Sequence, residues 1–335
     1  MKKVLAILGL FIILSVLAGF IFWGLKNWRE VAIIEKNLGQ DTASEEHQVF
    51  SQDEINILFL GLTGNNSSGA NLTDAISVLN LNLKKKKAAF IGIPRDLWVK
   101  IGDSNGAMKI NGLFEWENAS KPKNPKYSLI QDKISQITGL NIDYVIILDL
   151  DGFRYIVDSL GGINIYIDKE IVDPQLKNPD NPSEIFKLEP GWRYLDGKTA
   201  AKFIRTRYAP EGDFSRIHHQ QQMLIAIKNK VVGLFNIWGL AKLLNIYRGL
   251  DGHIITNLNF ESLIKLAKLA PTIKEGNTEY LVISNRPPDN LLISTTLEMI
   301  GLDGQPTMGY VLLPRLGFEK YDEIHKYLRE QLNKI

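Results

Sequence analysis

Val4 to Leu25 runs without one charged residue, and no other stretch of this 335-residue chain restricts its folding so strongly. At about 1.5 Å per residue, a helix of that length crosses a hydrocarbon core of roughly 30 Å. Residues 1–3 supply a short basic start, Trp23 and Trp28 fall where an interfacial aromatic belt belongs, and Lys26 and Arg29 close the segment. A cleavable signal peptide needs a shorter apolar region and a small-x-small site, which Val16-Leu17-Ala18 matches poorly. The run is read as an uncleaved single-pass anchor over residues 4–25. Lys2 and Lys3 favour a cytoplasmic N-terminus while Lys26 and Arg29 oppose it, so charge alone leaves the orientation open.

Everything that folds into a core must follow that anchor. Glu30 to Asp53 is polar with little periodicity beyond Leu38, which makes residues 26–54 a stalk. A hydrophobic fraction of 45% then supports a full globular core. A net charge of +2, with no basic face and no helix-turn-helix pattern, gives no reason to expect a nucleic-acid partner. The chain has no cysteine, which excludes disulfides, thiolate catalysis and cysteine-rich zinc sites together.

Short apolar runs alternate with helical periodicity. Ile55–Leu60, Ile76–Leu83, Ala88–Ile93, Tyr144–Leu150 and Ile163–Ile167 read as strands, and Tyr127–Thr138, Phe153–Leu160, Asp196–Ile204 and Phe214–Phe235 as helices. Lys84–Lys87 reads as a solvated hairpin tip, and Asp173–Ser183 as an irregular surface excursion. The pattern predicts an α/β or α+β domain over 55–235 with a helix-covered sheet. Residues 236–335 read as mostly helical, with short strands near Leu281 and Tyr310, either part of the same domain or an extension.

The densest chemistry lies between Arg205 and Gln222. Arg205 and Arg207 share a face if the segment is an extended strand; Pro210 and Gly212 then force a turn. Asp213 stands at a helix-cap position, with Arg216 and Gln220 following on one helical face. Such an arrangement suits a phosphate or diphosphate, or it is an arginine–carboxylate network tying a strand to a helix. Arg95 and Asp96 emerge where Pro94 ends a buried strand, and Lys109 and Asn111 offer a further cation and amide. Adjacent His218 and His219 point about 100° apart on a helix and make a poor metal pair. Asp149 and Asp151 could ligate magnesium or cap the helix that follows. No nucleophile elbow, Walker loop or dinucleotide fingerprint is present.

In order and spacing, Thr73-Asp74, Ile93-Pro94-Arg95-Asp96, Lys109-Ile110-Asn111, Asp151-Gly152-Phe153, Val157–Gly162, Leu195-Asp196-Gly197, Arg205-Thr206-Arg207, Asp213–Arg216 and Gln220-Gln221 resemble the LytR-CpsA-Psr family of cell-wall enzymes. The resemblance runs from about Ile55 to Lys230. It implies an α-β-α sandwich with a central mixed sheet outside the cytoplasmic membrane and an apolar pocket for a polyprenyl chain. It further implies transfer of a glycan phosphate from a polyprenyl diphosphate carrier to a cell-wall acceptor such as peptidoglycan. Carried over residue by residue, Arg95, Asp96, Arg205 and Arg207 would be catalytic. Lys109, Asn111, Asp213, Arg216 and Gln220 would complete the diphosphate site, and Asp74 would hold magnesium. The family pattern has an Asp where Thr63 stands and an Arg where Leu72 stands, so a binding or scaffolding protein without turnover is the second expectation. Asp96 and Asp74 are the candidates for a base.

Overall fold

The apolar runs become strands with small changes of boundary. Antiparallel β1 (Glu54–Leu62), β2 (Thr73–Asn82) and β3 (Lys87–Gly92) come first, with Lys84–Lys86 in the turn between β2 and β3. After the break at Pro94, β4 (Trp98–Lys100) and β5 (Ala107–Lys109) pair as a small hairpin. Helices α1 (Leu113–Glu117) and α2 (Ser128–Thr138) follow, and α2 stops at Gly139, whose φ of 70° is a left-handed cap. β6 (Tyr144–Asp149) then runs parallel to β1 and leads directly into α3 (Leu150–Ser159). Asp149 is the cap of α3, its Oδ1 accepting from the Gly152 amide at 2.7 Å.

The chain continues through β7 (Ile163–Ile167), β8 (Ile171–Asp173), β9 (Phe186–Leu188), β10 (Gly191–Leu195), α4 (Gly197–Phe203), α5 (Asp213–Val232) and α6 (Ile237–Gly249). It closes with β11 (Ile254–Thr256), β12 (Thr278–Val282), β13 (Leu292–Ile300), β14 (Pro306–Pro314) and α7 (Asp322–Lys334). This computed structural model describes residues 53–64, 71–104, 106–120, 122–176, 185–208, 212–234, 237–259, 262, 266, 272–273, 275–300 and 306–334. The expected start, anchor and nearly all of the stalk lie outside those residues, as does most of the helix expected over Phe260–Leu269. Among the described residues no helix is long and apolar enough to cross a membrane.

Six strands form the central mixed sheet, in the order β11-β6-β1-β2-β3-β12. Only the β1–β6 and β3–β12 pairs are parallel. Both edges come from the C-terminal third; the strands expected near Leu281 and Tyr310 form as β12 and β14, and β11 and β13 are further strands where mostly helix was expected. Two further expectations give way. Arg205–Arg207 forms no strand, although Arg205 and Arg207 remain exposed on either side of buried Thr206. Asp173 is buried rather than part of a surface excursion, because its Oδ2 accepts the Thr206 hydroxyl at 2.6 Å. That bond fixes the arginine segment without a ladder.

Strand alternation divides the sheet into two unlike faces. Leu58 and Leu60 of β1, Ile76 and Val78 of β2, and Val145 and Ile147 of β6 pack into a closed core with Ile130, Ile134 and Ile137 of α2 and Ile324 and Leu328 of α7. On the other face the intervening residues are Phe59 and Gly61, Ala75 and Ser77, and Ile146 and Leu148. Gly61, Ala75 and Ser77 are small and sit side by side at the centre, leaving a hollow that α3, α5 and α6 roof over without filling. The result is a cavity of about 850 Å³.

Candidate functional site

The cavity has an apolar body and a charged mouth. Its body is walled by Phe153, Leu224, Ile227, Val231, Ile246 and Leu250, among others. At its mouth stand Thr63, Asp74, Arg205, Arg207, Arg216 and Gln220. An interior apolar slot ending at guanidinium groups suits an amphiphile with a long hydrocarbon part and an anionic head.

Each mouth residue is placed by a local feature of the chain. Asp74 is the extra residue of a β-bulge, since Gly61 pairs with Ala75 and Leu62 with Thr73. The bulge needs Gly61, because a Cβ there would lie 2.9 Å from the Ala75 Cβ. Arg95 follows Pro94 out of the sheet and reaches both the Asp74 carboxylate, to which its Nη1 donates, and Asp213, at 3.8 Å. Asp96 lies on the far side of Arg95, 3.9 Å from its Nε, and accepts from Lys109 Nζ at 2.6 Å. Asp213 opens α5 but does not cap it: Gly212 occupies the cap, at a φ of 57°, and no side-chain cap bond forms. Its carboxylate turns instead to Arg216 at 2.9 Å and Arg207 at 3.5 Å. Gln220 ties α5 to the end of α4 by donating to the Ile204 carbonyl at 3.3 Å. Asn111 is buried at the rim, its amide 3.3 Å from the Arg95 carbonyl.

The expected site residues therefore gather in one place, as one ion-pair network together with the cavity mouth. Its cations outnumber its carboxylates, and its donors are under-saturated: Arg95 Nε and Arg216 Nε are buried without hydrogen-bond partners. Burial and two positive neighbours put unusual pressure on Arg216, which is only 3% exposed. Desolvation lowers its pKa to about 10, Asp213 opposes this, and Arg95 and Arg207 add to it. An incoming polyanion relieves that repulsion. Burial pushes the Asp74 carboxyl up, but the charge and hydrogen bond of Arg95, with Arg216 and Arg207, hold it below its usual range.

For magnesium, the donor set is Asp74 plus the Thr63 hydroxyl, which donates to Asp74 Oδ2 at 3.2 Å. No group of three or more His, Cys, Asp or Glu among the described residues could hold an ion without help. One carboxylate and one hydroxyl fit magnesium only where water and ligand phosphate oxygens complete the octahedron. The histidines play other parts. His219 stacks on Phe203 with ring centroids 4.5 Å apart, and burial lowers its pKa to about 4, so it is neutral. His253 Nδ1 donates to the carboxylate of the capping Asp149 at 2.9 Å. Asp149 is thus committed to a helix cap and a histidine.

Reasoning from the sequence missed Arg286 and Tyr310. Arg286 places its guanidinium carbon 5.5 Å over the Phe214 ring, next to Asp213. Tyr310 is pushed above its ordinary pKa by burial and by the charges of Asp96 and Asp213. Both come from the C-terminal third, where no local motif points toward the site.

A mixed sheet roofed by helices over an apolar cavity with a cationic mouth defines an α/β domain built around one enclosed site. The chain belongs to the LytR_cpsA_psr family, whose model matches residues 22–300. It is 29% identical over 212 residues to "Regulatory protein MsrR" of Staphylococcus aureus, covering 63% of this chain and 58% of that protein. It is 23% identical over 268 residues to "Polyisoprenyl-teichoic acid--peptidoglycan teichoic acid transferase TagU" of Bacillus licheniformis, covering 78% of each. The chain thus spans little more than half the length of the staphylococcal relative. Its fold matches the crystal structure of B. subtilis TagV with a TM-score of 0.60 at 21% identity, over 84% of this chain and 98% of that one.

Proposed function

We propose that this protein is a membrane-anchored phosphotransferase that moves a glycan phosphate from a polyprenyl diphosphate carrier to a cell-wall acceptor such as peptidoglycan. The observation that carries this reading is the continuity of one cavity from apolar walls to Arg205, Arg207 and Arg216. Family membership and the similarity to TagU, a polyisoprenyl-teichoic acid–peptidoglycan teichoic acid transferase, support the substrate class. Residues 4–25 would anchor the chain with its N-terminus in the cytoplasm and the domain outside, where cell-wall acceptors are.

In this reading the polyprenyl chain lies against Gly61, Ala75 and Ser77, and the diphosphate meets Arg205, Arg207 and Arg216. Charge grows on the bridging oxygen as the phosphorus–oxygen bond to the carrier breaks. Guanidinium groups of Arg207 and Arg216 held by Asp213, on a segment that the Thr206–Asp173 bond ties down, stabilise that charge without reorganising. Arg95 links Asp74, beside the cavity, to Asp96, beyond it. Asp96, which accepts from Lys109, and Asp74 are the candidate carboxylates to take a proton from an acceptor hydroxyl. Magnesium, held by Asp74 and Thr63, would supply charge neutralisation at the phosphates.

A second reading, a binding protein without turnover, is favoured by Thr63, whose hydroxyl stands where a second carboxylate would strengthen a metal site. Release of polyprenyl monophosphate from a polyprenyl-diphosphate-linked saccharide, assayed with detergent-solubilised full-length protein, separates the two. Release abolished by Arg205→Ala supports the transferase. Tight binding of the same lipid without release supports the binding protein.

A further inference from the structure

The donor cavity accounts for only one side of the charged cluster. Arg95 stands between cavity-lining Asp74 and Asp96, and neither Asp96 nor Lys109 lines the cavity. Beyond Asp96 the wall of the site is built by the C-terminal third. The Leu312 amide donates to the Asp96 carbonyl at 3.0 Å, and Leu312 bridges to Leu97, so β14 is docked on the turn that presents Arg95 and Asp96. Leu312 is 2% exposed. Tyr310 lies two residues earlier on the same strand face, about 7 Å further out, and is 49% exposed. The hairpin overhangs the cluster and leaves one aromatic ring uncovered at its edge. Arg286 lies over the ring of Phe214, the residue that follows Asp213 in the chain.

Resting on the transferase reading, we infer that Tyr310 and Arg286 form the acceptor subsite, a stacking and hydrogen-bonding surface for the saccharide that receives the phosphate. Phosphoryl displacement keeps the attacking and leaving oxygens roughly in line. The leaving polyprenyl phosphate lies on the cavity side, so the attacking hydroxyl arrives from the side of Asp96, Lys109 and Tyr310. A ring face with a guanidinium nearby is suited to a sugar, whose C–H face packs on the aromatic while its hydroxyls meet polar groups. The docking of Leu312 on Asp96 and Leu97 brings the Tyr310 end of this strand to the reacting end of the site.

The test uses detergent-solubilised full-length protein, a polyprenyl-diphosphate-linked disaccharide as donor and a soluble uncrosslinked peptidoglycan glycan fragment as acceptor. Tyr310→Ala should raise the acceptor KM by about tenfold, Tyr310→Phe should stay near the parent, and Arg286→Ala should fall between them. Donor Kd and acceptor-independent hydrolysis of the donor should be unchanged in all three. A separate titration of the glycan fragment into donor-free protein, followed by NMR, should show binding that Tyr310→Ala removes. An unchanged acceptor KM and titration in Tyr310→Ala, or no glycan binding by the parent, overturns the inference. Equal weakening of donor and acceptor would assign the ring to the donor's sugar and overturn it as well. Absence of parental turnover would reject the transferase reading, while the titration would still decide the subsite.

Discussion

Ala75→Leu tests whether the lipid lies on the hollow face of the sheet. Ala75 lines the cavity opposite Gly61, whose missing side chain provides the only slack beside it on β1. The leucine adds three carbons to the floor of a cavity of about 850 Å³, which displaces a similar amount of hydrocarbon from the bound lipid. At about 0.8 kcal/mol per buried methylene, the loss is about 2.4 kcal/mol, or roughly fiftyfold in Kd. The apo protein should respond in the opposite direction, because added apolar atoms fill empty space against Phe59, Ile146 and Leu224. Its thermal midpoint should hold or rise. Kd for a polyprenyl diphosphate, measured beside differential scanning calorimetry, reads both effects. An unchanged Kd with an intact thermal transition would refute the placement of the lipid. A collapsed transition would show that the hollow is needed for packing instead.

Other residues make independent predictions. Arg95→Lys keeps the charge but cannot fork between Asp74, Asp96 and Asp213, so catalysed release should fall about a hundredfold while lipid affinity changes little; equal losses in both would contradict a role confined to the reacting end. His219 has its folded pKa lowered to about 4, below the unfolded 6.5. Its stabilising contribution is therefore complete above pH 6.5 and is lost as pH falls toward 4, by about 3 kcal/mol. His219→Phe, which keeps the stacking on Phe203, should flatten the urea-denaturation pH profile in that window. His253 has the opposite sign. Its pKa is raised, first by the hydrogen bond it donates to Asp149, so its contribution is complete below the unfolded pKa and fades as pH rises through the folded one. His253→Gln should remove that weaker dependence, and an identical profile would show that the pair is not maintained in solution.

What the sequence made legible depends on how local the cause is. Uninterrupted apolar runs such as Ile55–Leu60 and Ala88–Ile93 have few alternatives to buried strands, and β1 and β3 form there. The helix over Ser128–Thr138 follows from its spacing and from Gly139. Arg205–Arg207 was expected to be a strand because the alternation is real, but Thr206 is held by Asp173 rather than by a neighbouring strand. Asp213 resembles a cap by position, yet three arginines outcompete the free amides of α5 for its carboxylate. The hollow could not be read in advance. Gly61, Ala75 and Ser77 are unremarkable in the chain and become a floor only when the β1–β2 register sets them side by side. Tyr310 and Arg286 were hidden for the same reason, since only the docking of Leu312 on Asp96 brings their segment to the site.

The most direct test of the central claim is release of polyprenyl monophosphate from a polyprenyl-diphosphate-linked saccharide, with and without magnesium, by the parent and by Arg205→Ala. Release that the parent performs and Arg205→Ala does not is the predicted result. Bound lipid that is never cleaved, or cleavage indifferent to Arg205, would contradict the account.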